Sequence, residues 1–382
     1  MRRVSIFAIA ALVLLLIGAV VGRTMLPPKG EHLTGAYTYG MYLEDHGKTA
    51  ATCPKEHAAR KAAFEATLTD VLKHNANPKR SYTKGVNRFS DWLPSEVQGL
   101  RGSRREPKFQ PKRAGVERAF TSDMTPAAAS LDWRKAFPPV LTAVKDQGMC
   151  GDCWAHAVTE TIESSYARTT GNLLVLSQQQ LTSCTPKEGS CYSCDGHYPR
   201  YAYEYAADAA QVMEEWIYPF TSYLGANPQC RNMTEPQYPL TNFAQVEGYV
   251  QVAPNNQADI VSALNQGGPL SILVNAMPWM SYESGVFDGC TYDKSFGLDH
   301  AVQLVGYGTD AATNQDYWIV RNSWSAGWGE HGFIRLQKTE TPQCGLNFGG
   351  MSCFTGANNT QPTPSCGMCG VLSDAQFAVI KQ

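Results

Sequence analysis

Charge is scarce in this sequence: Asp, Glu, Lys and Arg make up 17% of its 382 residues, against about 25% in an average soluble chain. Net charge is nearly absent as well, at −2, which excludes a protein that binds nucleic acid by neutralising phosphates along its length. Glycine shows no collagen period, and nothing repeats at the spacing of solenoids or propellers. No apolar run reaches the ~20 residues of a bilayer span. The run from Ile6 to Val21 comes nearest; it follows Arg2 and Arg3 and ends at Gly22-Arg23, the order of a secretory signal peptide over residues 1–22. An uncleaved signal anchor and a buried helix are the other two readings, and only the anchor would put the protein on a membrane. With 43% apolar residues the chain can bury a large core, so a wholly disordered protein or a coiled coil is excluded too.

Cysteine is what the sequence has in excess. Twelve cysteines exceed the usual content of a reduced cytosolic enzyme, and with a secretory signal they predict disulfides. The expected location is the secretory pathway, ending in a lysosome-like acidic compartment or outside the cell. Sequons at Asn232 and Asn358 agree with that route.

Near-neutrality hides a division. Residues 23–125 hold 18 Lys/Arg and 11 Asp/Glu, whereas residues 126–382 hold 12 and 23. The basic front has helical apolar spacing from about Pro54 to His74, then a basic, proline-containing linker over 101–118 that reads as accessible to proteolysis. The acidic body begins with a helical pattern from about Asp152 to Thr170 and turns to short strand-like segments: Leu270 to Val274, Ala301 to Tyr307, Tyr317 to Arg321 and Phe333 to Leu336. An α+β fold with a cleft between a helical and a β-rich half is expected.

Cys150/Cys153, Cys191/Cys194 and Cys366/Cys369 have C-x-x-C spacing, which suits zinc ligands or a disulfide oxidoreductase. The flanks of the first pair, Gln147-Gly148-Met149-Cys150-Gly151-Asp152-Cys153-Trp154, are more specific. Downstream stand Leu298-Asp299-His300-Ala301-Val302 and Asn322-Ser323-Trp324-Ser325-Ala326-Gly327-Trp328-Gly329. Together these motifs resemble the papain-like cysteine proteases, close to the cathepsin L group, over about Glu56 to Phe348.

The resemblance implies a two-lobed papain-like fold, helical lobe and β-barrel-like lobe flanking the cleft, and a cysteine endopeptidase without cofactor or metal, acting as a monomer on protein and peptide substrates. Cys153 would be the nucleophile, His300 the acid and base, Asn322 the group that orients it, and Gln147 the oxyanion donor. A thiol of pKa ~8.5 needs such help, from an imidazolium and a helix N-terminus, to ionise below neutrality. A catalytically silent relative that only binds peptides is the competing class. Gly151, Asp195, Gly196, Asp299, Trp324 and Trp328 match the substrate cleft. Tyr198, Pro199, Leu273, Leu298 and Ala301 match the walls of the pocket for the residue two before the scissile bond. Counting five past Cys344 puts Gly349 at its floor, with no charge there, so a hydrophobic or aromatic preference is expected. Two departures stand out: His197 where the family has glycine, expected to alter the approach of substrate backbone, and Asp152 before the nucleophile, expected to stabilise cationic His300.

The front segment resembles the family's inhibitory propeptide, residues 23–125, through Glu56, Arg60, Phe64, Val71 and Asn75 and through Gly85-Val86-Asn87-Arg88-Phe89-Ser90-Asp91; Thr67 replaces an expected asparagine. The chain's own propeptide would block the cleft, and acid would weaken a basic-on-acidic attraction and trigger cleavage between about Ser103 and Ser130. The catalytic domain would span 126–350, followed by a cysteine-containing extension over 351–382. Family matching pairs Cys150 with Cys194, Cys184 with Cys230 and Cys290 with Cys344, leaving Cys191, Cys353, Cys366 and Cys369 for two further bridges or a metal.

Overall fold

A computed structural model of the chain describes residues 27–102, 114–209, 211–231, 243–348 and 362–381. The apolar N-terminal run, most of the basic linker, Asn232, Gly349, Cys353 and Asn358 lie outside the described residues. Among the described residues no helix is long and apolar enough to cross a membrane.

The front segment builds a small helical unit of α1 (Tyr39–Asp45), α2 (Pro54–Asn75) and α3 (Pro94–Gly99), with strand β1 (Tyr82–Lys84) between the last two. Pro54 opens α2, where its missing N–H costs nothing; Glu56 in the first turn and Lys73 and His74 in the last suit the helix dipole. Phe64, Leu68 and Val71, one stripe of α2, pack on Leu33, Tyr37, Tyr39 and Tyr42. Thr67 donates to the Ser90 carbonyl at 3.1 Å and so ties α2 to the following loop. A further strand, β2 (Glu117–Ala119), precedes the acidic body.

The body starts with β3 (Leu131–Asp132) and the central helix α4 (Cys153–Thr170), which ends where Gly171 takes a left-handed φ of 78°. Helices α5 (Gln178–Cys184) and α6 (Pro199–Asp208) and the ribbon β4 (Val212–Met213) with β5 (Phe243–Ala244) complete a helical lobe. Its core gathers Trp154, Val158, Ile162, Leu181 and Tyr203. The second lobe contains β6 (Val246–Val252), α7 (Gln257–Gln266), β7 (Leu270–Val274), β8 (Tyr282–Phe287), β9 (His300–Thr309), β10 (Asp316–Arg321), β11 (Phe333–Gln337), the ribbon β12 (Cys344–Asn347) with β13 (Thr363–Cys366), and β14 (Ala375–Ile380). Trp279, Leu304, Trp318, Ile334 and Leu336 form its separate core. This is the α+β papain-like arrangement, a helical lobe against a β lobe, and the four strand-like segments of the sequence all fall within β7, β9, β10 and β11.

The main sheet runs β1-β8-β11-β10-β9-β7-β14-β6-β2, with β3 on β9. Both outer strands, β1 and β2, come from the segment before residue 126, so the front of the chain covers both edges of the body's sheet. The C-terminal segment is not an appendage to the catalytic fold. Strand β14 pairs with β6 from Ala375 to Ile380 and with β7 at Ala375 and Gln376, entering the middle of the sheet, and Val371, Leu372 and Ala375 are in the β-lobe core.

Disulfides join Cys150 to Cys194 and Cys184 to Cys230. In place of the Cys290–Cys344 pairing implied by the resemblance, Cys290 bonds Cys369 and Cys344 bonds Cys366. The cause is the returning tail: the β12–β13 register sets Cys344 opposite Cys366, and the turn that follows brings Cys369 to Cys290. Cys191 is also disulfide-bonded, while Cys53 and Cys153 are free. No C-x-x-C pair is bonded within itself: Cys150 and Cys194 bond each other across two pairs, Cys366 and Cys369 bond Cys344 and Cys290, and Cys153 is free. Among the described residues no group of three His, Cys, Asp or Glu could hold a metal ion.

Candidate active site

Cys153 is the first residue of α4, His300 the first of β9, and Asn322 follows the last of β10. Antiparallel pairing of Val274 with His300 and of Arg321 with Gln303 fixes the two strands relative to each other, and α4 packs along β9. All three side chains are buried. His300 Nε2 and Asn322 Oδ1 are 2.8 Å apart, which sets the imidazole plane; Trp324 lies over the ring at 5.0 Å. Cys153 Sγ accepts from the Ala301 N–H at 3.4 Å, and His300 Nδ1 has no hydrogen bond. Gln147 is locked from both ends, its N–H donating to the Ser323 carbonyl and its Oε1 accepting from the Ser323 hydroxyl at 2.7 Å.

The front segment crosses this site. Gln147 Nε2 donates to the Leu100 carbonyl at 3.2 Å, the Gly102 N–H points to Cys153, and the His197 N–H donates to the Gly102 carbonyl at 2.8 Å. Arg101 stands 3.6 Å from Asp299. Upstream, Phe89 packs edge-on against Trp324 at 5.4 Å, Asn87 donates to the Met280 carbonyl, and Arg88 makes a two-pronged ion pair with Asp146. Asp91 does not reach the body; it is buried under Tyr39, Tyr42 and Lys48 within the front segment.

Burial under this cover sets the charge state. It pushes the Cys153 thiol up to about 12, with the Asp152 and Asp299 carboxylates adding to the effect. Burial likewise lowers His300 to about 4, against the hydrogen bond that its Nε2 donates to Asn322 Oδ1. Asp299 is raised to about 6 by burial, although the Ala276 N–H and Arg101 pull the other way. The covered site therefore holds a neutral thiol beside a neutral imidazole.

Gly102 passes so close to Gly151 that a Cβ would lie 1.5 Å from the Gly151 carbonyl oxygen. A valine there cannot be seated without lifting the segment. Gly102→Val in the separately supplied front segment should weaken its inhibition of the body by at least 10-fold at neutral pH, read as the inhibition constant against a peptide substrate; an unchanged constant would refute this placement of the block.

The other sequence-matched residues are gathered here, with corrections. Tyr198, Leu273, Leu298 and Ala301 share one buried cluster beside Cys153, and Pro199 begins α6 next to them. Gly151 lies against Gly99, Gly102 and Cys194; Gly196 takes φ 93°; Asp195 is on the exposed rim near Asn227. Trp328 packs edge-on to Trp324. His197 leaves the backbone path open, because its ring is buried between Trp154 and Tyr201 and bonded to the Pro186 carbonyl. Asp152 does not face His300: its carboxylate accepts from Thr182 at 2.9 Å and lies 3.4 Å from His156. A carboxylate lies beside Tyr198. Asp374 accepts from the Tyr198 hydroxyl at 2.7 Å and from Arg200 at 3.1 Å, and its carbonyl accepts from the Leu273 N–H. Asp374 lies five residues past Cys369, the partner of Cys290; Gly349 lies outside the described residues. Nothing in the sequence marks Arg200 as the partner of Asp374.

Comparison with known proteins agrees with this geometry. Residues 127–353 match the papain family cysteine protease profile, and residues 39–97 match the cathepsin propeptide inhibitor domain. A "Cathepsin L-like" protein of Caenorhabditis elegans is 33% identical over 313 residues, 80% of this chain and 87% of the relative. "Cathepsin L2" of Homo sapiens is 30% identical over 300 residues, 76% of this chain and 84% of that one. The solved structure of digestive procathepsin L2 from Tenebrio molitor superposes with a TM-score of 0.71 at 27% identity, covering 89% of this chain and 98% of that chain. The chain belongs to the papain family of cysteine proteases, as a cysteine endopeptidase made as a zymogen with its own inhibitory propeptide.

Proposed function

We propose that Cys153 attacks the scissile carbonyl, that His300 holds and then delivers the proton to the leaving amine, that Asn322 orients His300, and that Gln147 Nε2 with the Cys153 N–H stabilises the developing oxyanion. The observation that carries this reading is the Leu100 carbonyl on Gln147 Nε2: the propeptide already presents a peptide carbonyl to the donor while lying over the thiol. Once that segment leaves, water reaches the pair and the proton moves from Cys153 to His300, with the N-terminus of α4 favouring the thiolate. Attack forms the C–S bond as the carbonyl π electrons move to oxygen; collapse breaks the C–N bond, and the His300 proton goes to the amine. Water, deprotonated by His300, then hydrolyses the thioester. An irreversible peptidyl thiol reagent should label the acid-activated protein and leave the Cys153→Ser variant unlabelled; absence of labelling in the activated wild type refutes the assignment.

Pocket walls of Tyr198, Leu273, Leu298 and Ala301 support a preference for a hydrophobic or aromatic residue two before the scissile bond. Asp374 does not reverse it, because Arg200 and the Tyr198 hydroxyl already satisfy the carboxylate. Peptides with leucine or phenylalanine at that position should be cleaved faster than the arginine peptide. Arg200→Met removes the cation beside the carboxylate, which keeps its hydrogen bonds from Tyr198, Gln251 and Gln376, and should raise kcat/KM for the arginine peptide by up to about 10-fold, the worth of ~1.4 kcal/mol, in a variant whose melting shows it folded. An arginine peptide unaffected by the change would contradict the role given to Arg200. The signal-like N-terminus and the disulfides support a secretory route to an acidic or extracellular compartment, and the enclosed site needs no second subunit.

A further inference from the structure

One face of α4 carries a ladder of buried ionisable groups that the mechanism does not use. Asp152 precedes the first turn, and its carboxylate makes no cap bond to the helix N–H groups. It turns to the Thr182 hydroxyl on α5 and to His156, one turn along, whose Nδ1 is 3.4 Å from Asp152 Oδ1 and 3.2 Å from the Asp152 carbonyl. Both side chains are fully buried, and Asp152 Oδ1 and His156 Nε2 have no hydrogen bond. Phe220 closes the far side of the imidazole edge-on at 5.3 Å. Further along, Glu160 pairs with Arg321 at 3.3 Å and Glu163 with Lys145 at 3.0 Å. Fixed charges in such a place act strongly, since little water screens them.

We propose that Asp152 and His156 form a positioning pair that narrows the pH range over which Cys153 and His300 act. The proposal rests on Cys153 and His300 being the reacting pair. Asp152 is the residue next to the nucleophile, so its negative charge opposes a thiolate at Cys153. A cation at His156 opposes a second one at His300. The two effects move the thiol's ionisation up and the imidazole's down, and so draw together the two limbs between which the ion pair exists.

The surroundings favour the charged form of His156. Burial alone would neutralise it, but Asp152 and Glu160 outweigh burial and raise its affinity for a proton. Among the other elements on α4, α5 contributes Thr182 and no charge, β7 and β14 carry no ionisable residue, and β9 contributes His300. Arg200 of α6 is engaged with Asp374, and the largest charge effects on His156 come from Asp152 and Glu160. Arg321 and Lys145 act through Glu160, whose own carboxyl is raised by burial against their pull.

The test is the pH dependence of kcat/KM for the acid-activated wild type and for Asp152→Asn, His156→Phe and the double variant Asp152→Ser/His156→Phe. The double variant removes both charges together and leaves no buried partner unpaired, so it guards against a single change that fails to fold. A broader profile is expected in the double variant, with the acid limb lower and the alkaline limb higher by about half to one unit each. In Asp152→Asn the thiol loses its opposing charge, so the acid limb should fall; His156 loses its counter-ion, so the alkaline limb should rise. A folded, active double variant with the wild-type profile overturns the proposal and leaves the pair a packing feature. Activity that persists in Cys153→Ser would instead overturn the assignment of the reacting pair.

Discussion

Cys153→Ser is expected to lower kcat/KM of the acid-treated protein by ~10⁴-fold or more while the zymogen still folds. The site demands a nucleophile that ionises on uncovering; a serine hydroxyl remains protonated over the whole range in which His300 can act, and Asn322 offers no carboxylate to strengthen the imidazole as a base. The thiol accepts from the Ala301 and Gly102 N–H groups, and a hydroxyl can accept from both, so stability should change little. Gln147→Ala should be milder, ~10²–10³-fold in kcat, because one of two oxyanion donors remains. Its structural consequence is also readable: Ser323 loses its acceptor at Oε1, so this variant should melt lower than Cys153→Ser. Single-turnover acylation separates the two, being absent in the first and slow in the second. Equal losses in both variants would contradict the roles assigned to them.

Acid should release the propeptide between about pH 6.5 and 4, and the group responsible lies in the cleft rather than in the overall charge contrast between the two parts of the chain. Burial lowers His300 to about 4 in the covered site, and where departure of the propeptide admits water its ionisation should return toward the ordinary imidazole value of ~6.5. A base lowered in the closed state stabilises that state above its open-state value and loses this as pH falls toward the closed value. The full span is worth about 3 kcal/mol. Asp299 does not act in this direction: burial raises its carboxyl to about 6 against the pull of the Ala276 N–H and Arg101, and a carboxyl raised in the closed state favours that state as it takes up a proton.

The interface pair Arg88–Asp146 has a different window. Burial raises the Asp146 carboxyl, but Arg88 and the Gly148 N–H outweigh burial and leave it below the ordinary value, so its contribution persists until the pH falls under ordinary carboxylate values. With the propeptide supplied separately to the open enzyme, its inhibition constant should rise by about 100-fold from pH 7 to pH 4.5. A constant that moves only below pH 4 would transfer the trigger to Asp146 and its like.

Much of the site was legible because its motifs are local. The flanks of Cys153, the run after Asn322 and the Gly85 to Asp91 element are each short enough to be read as words, and the strand-like segments carry their own alternation and turn residues. Where the reading departed from the structure, the deciding contact was long-range. Asp152 and His300 are near in the motif logic, yet the carboxylate turns away because Thr182 and His156 offer it partners inside the helical lobe. His197 was expected to crowd the cleft, yet its ring fills a slot between two aromatic side chains.

By itself the sequence determined the family, the order of propeptide and enzyme, and the residues that meet at the cleft, since each is encoded in contiguous stretches whose chemistry is interpretable residue by residue. Only the tertiary structure decided what the C-terminal segment does. Pairing β14 between β6 and β7 carries Asp374 to the Tyr198 hydroxyl and gives Cys290 and Cys344 partners more than twenty residues beyond the expected bridge. A strand's place in a sheet is fixed by backbone hydrogen bonds to segments more than a hundred residues away, and no local pattern encodes which edge it will fill.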